Sequence, residues 1–193
     1  MDDPTPGSDK SADNTAATSA RTDADPGRHL SEAADGDRTF DQKTFRQAVG
    51  QFATGVTVVT TLFEGSPKGL TVNSFTSVSL APPLVLWNLG EGSDSHRAFM
   101  ESDAFALHIL HAGQEALAKR FATRGADKFG ETPWQSGPGG LPLLDDCLIS
   151  LECQVEHRYP GGDHAIIVGR VGAIHHGETG SPLIFHGGSF LTP

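Results

Sequence analysis

The chain has 193 residues, with 24 Asp and Glu against 14 Lys and Arg, a formal net charge of −10 and 37% hydrophobic residues, which suits one soluble domain with a real core. The charge is spread evenly: residues 1–40 hold nine acidic and four basic residues and the remainder fifteen and ten. No part is basic, so neither nucleic acid nor an anionic membrane is expected as the principal partner.

Residues 1–40 are rich in Asp, Ser, Thr, Ala, Pro and Gly, with Phe40 their only aromatic. Too little apolar surface is available there to offset the entropy of ordering, so the segment reads as a disordered acidic tail before a domain over residues 41–193. It opens Met1-Asp2-Asp3 and never becomes apolar, unlike a secretory signal. No stretch in the chain approaches the roughly 18 apolar residues of a membrane span. A cytoplasmic protein is expected.

Phe45, Val49 and Phe52 recur at helical spacing and mark an opening helix. From Thr54 to Asn88 the blocks TGVTVVTT, GLTVNSFTSVS, APP and LVLWN read as strand, strand, turn and strand. The middle block carries Thr71, Asn73, Ser74, Thr76, Ser77 and Ser79 among Val72, Phe75 and Val78, more polar groups than a core strand should hold. It either meets a polar ligand or forms an exposed edge. Two more short helices are expected over Ser95–Glu101 and Gln114–Thr123, with Leu117 and Phe121 on the buried side of the latter. Ser93, Ser95 and Arg97 open the first of these, where unpaired amides favour an anion, although a serine there also serves as a plain N-cap.

The Pro- and Gly-rich stretch from Pro133 to Pro142 reads as a long loop. The run from Cys147 to His157 reads as a strand in which Cys147, Ile149, Leu151, Cys153 and Val155 are apolar while Ser150, Glu152, Gln154 and Glu156 are not, the period of a half-buried strand, which puts Cys147 and Cys153 on one face as reduced core residues. The turn Gly161-Gly162-Asp163-His164 leads into a second strand from Ala165 to Ile174. Strands joined by turns, with a few covering helices, suit an antiparallel barrel. No GxGxxG opens a helix, no G-x-S-x-G elbow occurs and no His pair has zinc-site spacing, so a Rossmann site, a serine triad and a metal centre are not expected.

The ordered run of FATGV from Phe52, GLTVNSFTSVS from Gly69, Pro82-Pro83-Leu84, Phe121-Ala122, Asp127-Lys128-Phe129, Leu151-Glu152-Cys153, Gly162-Asp163-His164, Gly169 and Pro182-Leu183 resembles the short-chain flavin reductases. These are FMN-binding split-barrel proteins that reduce free flavin with NADH or NADPH. The resemblance implies a mainly β, antiparallel, Greek-key-like split β-barrel and a homodimer. It also implies diffusible reduced FMN or FAD supplied to a flavin-dependent monooxygenase. By this resemblance Thr71, Val72, Asn73, Ser74, Thr76 and Ser77 meet the flavin ring, with Ser93, Ser95 and Arg97 at the phosphate. Thr123, Arg124 and Lys128 match the stretch that approaches the flavin tail. Gly162 and Asp163 shape the turn that sets the catalytic candidate, His164, beside nicotinamide. At Glu91 and Gly92 the chain departs from the family, which often has a basic residue there. Two other readings fit the same residues: a flavoenzyme that keeps its flavin and acts on an organic substrate, and a non-catalytic flavin- or haem-binding module.

Overall fold

The structure, a computed structural model, describes residues 40–191. The expected tail over residues 1–40 therefore lies outside the described residues, save Phe40. Helix α1 (Gln42–Val49), with the Asp41 carboxylate accepting from the Thr44 N–H at 2.7 Å as its N-cap, precedes the first strands. These are β1 (Thr54–Gly55), β2 (Thr57–Phe63), β3 (Ser66–Val72), β4 (Thr76–Leu80) and β5 (Pro83–Gly90), followed by α2 (His96–Glu101) and β6 (Ala104–Ile109). A short 3-10 turn at Ala112–Gln114 leads into α3 (Glu115–Ala122), then β7 (Trp134–Ser136), β8 (Pro142–Leu144), β9 (Ile149–Pro160), β10 (His164–His176), β11 (Ile184–His186) and β12 (Ser189–Leu191).

The main sheet is antiparallel throughout, in the order β3-β2-β6-β9-β10-β5-β4. Its two edges are consecutive in sequence. Only Asn73, Ser74 and Phe75 separate β3 from β4, a span that reaches about 14 Å at most. A flat sheet of seven strands is about 29 Å wide, so the sheet must curl until its edges nearly meet. They do not pair with each other, and the result is a split barrel. The block Gly69–Ser79, expected as one strand, is thus two strands on opposite edges of the sheet.

Inside the barrel Trp87 meets Phe99 and Phe105 edge-on, with ring centroids 5.1 and 5.8 Å apart, among Val59, Leu89, Leu107 and Ile167. Gly169 is required here: a Cβ on it would run into the Phe105 ring and Cys153. A second cluster lies under α3, built on Val56, Val58, Leu110, Phe121, Leu144 and Leu183.

Strand β9 departs from the alternation read in its sequence, because Ser150, Leu151, Glu152 and Cys153 are all buried. The strand lies between β6 and β10, and the segment expected as a loop from Pro133 to Pro142 supplies the β7–β8 hairpin, which covers the second face. Leu141 and Leu143 pack on Ala106, the Thr60 hydroxyl donates to the Pro142 carbonyl at 2.6 Å, and the Gly139 N–H donates to the Glu152 carboxylate at 2.8 Å. Cys147 precedes β9 and packs under α3 rather than beside Cys153. Burial pushes the two thiols up to about 11 and about 12 respectively, so both are inert packing residues.

His108 is a structural histidine. Its ring is fully buried, with Nδ1 3.0 Å from the Val58 carbonyl and Nε2 accepting from the Leu144 N–H at 3.1 Å. That pairing fixes the neutral tautomer with hydrogen on Nδ1. Burial, helped by the charge of His175, lowers its pKa from 6.5 to about 4. Between these values the unfolded chain binds the proton more tightly, so His108 costs nothing above pH 6.5 and destabilises progressively as pH falls toward 4, by roughly 3 kcal/mol in all. The urea midpoint of the wild type should fall across that window. The drop should be markedly smaller in His108→Gln, whose amide retains one donor and one acceptor; equal slopes for the two proteins would contradict the assignment.

Candidate active site

A cleft of about 550 Å³ opens along the seam of the barrel, where the end of β3 faces β5 and β10. Leu70, Thr71 and Val72 from β3, with Asn73 and Ser74 from the connection, form one wall. Asn88 and Gly90 of β5 and His164 and Ile166 of β10 form another; these are adjacent in register, Asn88 opposite Ile166 and Gly90 opposite His164. The Asn88 backbone N–H donates to the Ser74 hydroxyl at 2.9 Å, tying the connection to β5 and leaving the Ser74 O–H free to donate.

The end of the cleft near α3 holds its charge. Phe121 and Ala122 of α3, the residues Gly92, Ser93 and Asp94, and the cations Arg124 and Lys128 line it. The Asp94 carboxylate clamps this corner: one oxygen pairs with Arg124 Nε at 3.0 Å and the other accepts from the Gly125 N–H at 2.7 Å. Arg124 is thereby held over Gly92, so close that a Cβ on that glycine would lie 3.4 Å from the guanidinium. Arg124, some thirty residues later in the chain, thus brings a guanidinium beside positions 91 and 92, which themselves carry no basic residue. Lys128 Nζ donates to the Gly69 carbonyl at 3.0 Å, and its burial lowers its pKa, an effect the Asp94 charge partly offsets. Two cations against one carboxylate leave this corner net positive in a chain of charge −10.

At the opposite rim the turn after β9 holds His164. Gly162 takes φ +73°, a conformation natural to glycine. The Gly161 N–H donates to the His164 carbonyl at 2.8 Å and the Glu91 N–H to the Asp163 carbonyl at 3.0 Å, fixing the turn against β5. His164 Nδ1 lies 2.7 Å from the Asp163 carboxylate, whose pKa the ring lowers by hydrogen bond and charge. With Nδ1 so engaged, Nε2 is the nitrogen presented beside Gly90 in the cleft.

Of the residues expected from the sequence, Thr71, Val72, Asn73, Ser74, Ser93, Arg124, Lys128 and His164 line this one cleft. Gly162 and Asp163 support it from behind as parts of the turn. Thr76 and Ser77 do not belong: they lie on the exposed edge strand β4, beyond the connection, and Thr76 bonds the Ser77 carbonyl. Ser95 is buried, with its hydroxyl donating to the Gly69 carbonyl at 3.3 Å, and lines a smaller neighbouring pocket; α2 is a helix of six residues with no side-chain cap. Arg97 turns away to Glu101 at 2.9 Å and Glu64 at 3.1 Å on the outer surface. The Thr123 hydroxyl donates back to the Lys119 carbonyl, closing α3. The sequence reading missed Asn88 and Asp94. Asn88 was legible as the lone amide ending an apolar strand, whereas Asp94 gave no signal among two dozen acidic residues.

The fold and this cleft define a flavin-handling split barrel. Residues 49–192 match the model of the flavin reductase like domain. The chain is 46% identical to an FMN reductase (NADH), SmoA, of Agrobacterium fabrum, over 77% of this chain and 84% of that one. It is 37% identical to the reductase subunit HsaB of a flavin-dependent monooxygenase of Rhodococcus jostii, over 78% and 77%. Among solved structures it is similar to the Streptomyces globisporus NADH:FAD oxidoreductase SgcE6 in complex with NAD and FAD fragments, with TM-score 0.74 and 40% identity over 78% of this chain and 92% of that one. The chain belongs to the flavin reductase-like family.

Proposed function

We propose that the chain transfers hydride from NADH to FMN or FAD held in the seam cleft, and that the reduced flavin then leaves to serve a separate monooxygenase. The observation that carries this reading is the convergence on one cleft of a polar wall, a cationic corner and an outward-facing imidazole nitrogen. The residues fit a flavin. The cleft is large enough for a polycyclic ligand. The side chains of Asn73, Ser74 and Asn88 suit the heteroatom edge of its ring, with Thr71, whose hydroxyl is tied to the Ala118 carbonyl at 2.7 Å, shaping the wall, and Arg124 and Lys128 suit its phosphate. Bound there, flavin supplies the hydride-accepting nitrogen N5.

The chain's own work is positioning. No protein nucleophile is needed, since placing two rings at about 3 to 3.5 Å supplies on the order of 7 to 11 kcal/mol. Asp163 orients His164, and Nε2 is left to hydrogen-bond the nicotinamide carboxamide at the rim. The clamp of Asp94 on Arg124 presets the phosphate corner before ligand arrives. With its thiols buried and its family assignment, the protein is proposed to act in the cytoplasm.

Arg124→Ala or Lys128→Ala should weaken FMN binding by about 10- to 100-fold, the range of a charge-assisted hydrogen bond, while riboflavin, lacking phosphate, loses little. Arg97→Ala should leave both affinities unchanged. Flavin fluorescence titration reads all three, and equal losses for FMN and riboflavin would move the phosphate elsewhere. His164→Ala should lower kcat/KM for NADH by roughly 10- to 100-fold while flavin affinity holds. Loss of both together would make the histidine part of the fold rather than of the site.

A homodimer is also proposed. Among the described residues the apolar side of α1 and the turn after it find no core of their own: Phe45, stacked on Phe40 at 5.8 Å, is 54% exposed and Phe52 78%. On the edge strand Leu80 is 92% exposed. A second copy would cover such surface. Light scattering at micromolar concentration should give twice the chain mass, and Phe45→Asp with Phe52→Asp should lower it; a wild-type monomer would overturn the proposal.

A further inference from the structure

The face that forms the cleft continues past it. Residues directly opposite on antiparallel strands project from the same face, with Cβ atoms about 4.5–5.5 Å apart, and diagonal neighbours lie about 7–8 Å apart. Asn88, Ile166 and Tyr159 are one such row across β5, β10 and β9; Leu86, Val168 and His157 are the next. Asn88 and Ile166 line the cleft, so Tyr159 stands on the same face, one strand beyond Ile166 and diagonal to His164. Arg158, pointing to the opposite face, donates to the carbonyls of Phe99 and Ser102 and anchors this part of β9 to the body of the protein.

Tyr159 and His157 pair with ring centroids 5.3 Å apart and an interplanar angle of 37°. Tyr159 is 49% exposed, and His157 is exposed as well. This is an aromatic platform flush with the rim at which hydride transfer is placed. Arg170, further along the same face of β10, is already bidentate to Glu156 at 2.9 and 2.6 Å. The ground beside the platform therefore presents a committed ion pair and no free guanidinium, so it suits a neutral ring rather than a phosphate.

We propose that Tyr159, backed by His157, is a stacking shelf for the adenine base of NADH whose nicotinamide lies at the His164 rim. The proposal rests on the flavin-reductase reading above. A tyrosine face accepts a base through its π surface without base-specific hydrogen bonds. The flavin phosphate, and with it the adenine of FAD, belongs at the Arg124 and Lys128 end of the cleft, away from Tyr159, so NADH is the ligand whose adenine is on the side of the shelf. The paired Arg170 also means that an additional 2′-phosphate gains no partner on this ground.

The test uses ligand pairs that differ by the adenine nucleotide: NADH against reduced nicotinamide mononucleotide, compared by KM, and FAD against FMN, compared by equilibrium binding. Tyr159→Ala should cut the preference for NADH over reduced nicotinamide mononucleotide by about tenfold and leave the FAD to FMN ratio unchanged, and Tyr159→Phe should keep both. A change in the FAD ratio alone would overturn the assignment to NADH. Ratios equal to those of the wild type in both pairs overturn the shelf. Turnover of the wild type with reduced nicotinamide mononucleotide and FMN, neither of which carries adenine, tests the reductase reading by itself, and the flavin-binding arm needs no turnover.

Discussion

The structure depends on a length constraint: three residues, Asn73 to Phe75, must carry the chain from one edge of a seven-stranded sheet to the other. Curling is the only way to satisfy it, and curling has two consequences. It buries one face around Trp87, Phe99 and Phe105, and it leaves a seam where the end of the edge strand β3 faces the paired strands β5 and β10. A closed barrel would have filled that seam with ladder hydrogen bonds. Here the Asn73 side chain and the Ser74 O–H remain available, held in place because Ser74 accepts from the Asn88 amide, while the Thr71 hydroxyl is committed to the Ala118 carbonyl at 2.7 Å. The cleft is a by-product of incomplete closure, stabilised by the same core that accompanies the curl.

Charge is distributed to match. An acidic chain would repel the phosphates of flavin and dinucleotide alike, yet the cleft gathers two cations at one end. Asp94 is what makes this specific. Its carboxylate lowers the net charge of the corner but fixes Arg124 over Gly92, so the guanidinium does not have to be ordered when a ligand arrives. At the other end Asp163 plays the same part for His164, and two backbone hydrogen bonds make the turn rigid. Beyond the His164 end, the registered rows of β5, β10 and β9 continue the face that lines the cleft to the pair of Tyr159 and His157.

Where sequence reasoning succeeded, the signal was local. The strands read from TGVTVVTT, LVLWN and Ala165 to Ile174, and the glycine turn before His164, depend on neighbouring residues, and each held in the structure. Where it failed, a distant partner decided. The odd–even alternation of β9 predicted a half-buried strand, but a hairpin from Trp134 to Leu144 covers the polar positions and satisfies Glu152 with the Gly139 amide. Ser95 and Arg97 have the chemistry of phosphate ligands, but Gly69 takes the hydroxyl of one, and Glu101 and Glu64 hold the guanidinium of the other.

The sequence by itself determined the class of the protein: a β-rich chain with short covering helices, whose ordered motifs from Phe52 to Leu183 match a flavin-reducing family, with His164 on a tight turn and Thr71 to Ser74 rich in hydrogen-bonding groups. Only the tertiary structure decided which polar residues share a cleft. Thr76 and Ser77 sit two to four residues from Asn73 and Ser74 yet fall on the opposite edge strand, while Asn88, Arg124 and His164, far apart in the chain, meet. The physical reason is that side-chain commitment is set by long-range closure. A residue's chemistry is written in its type, but whether that chemistry is free to meet a ligand depends on what the curled sheet brings beside it.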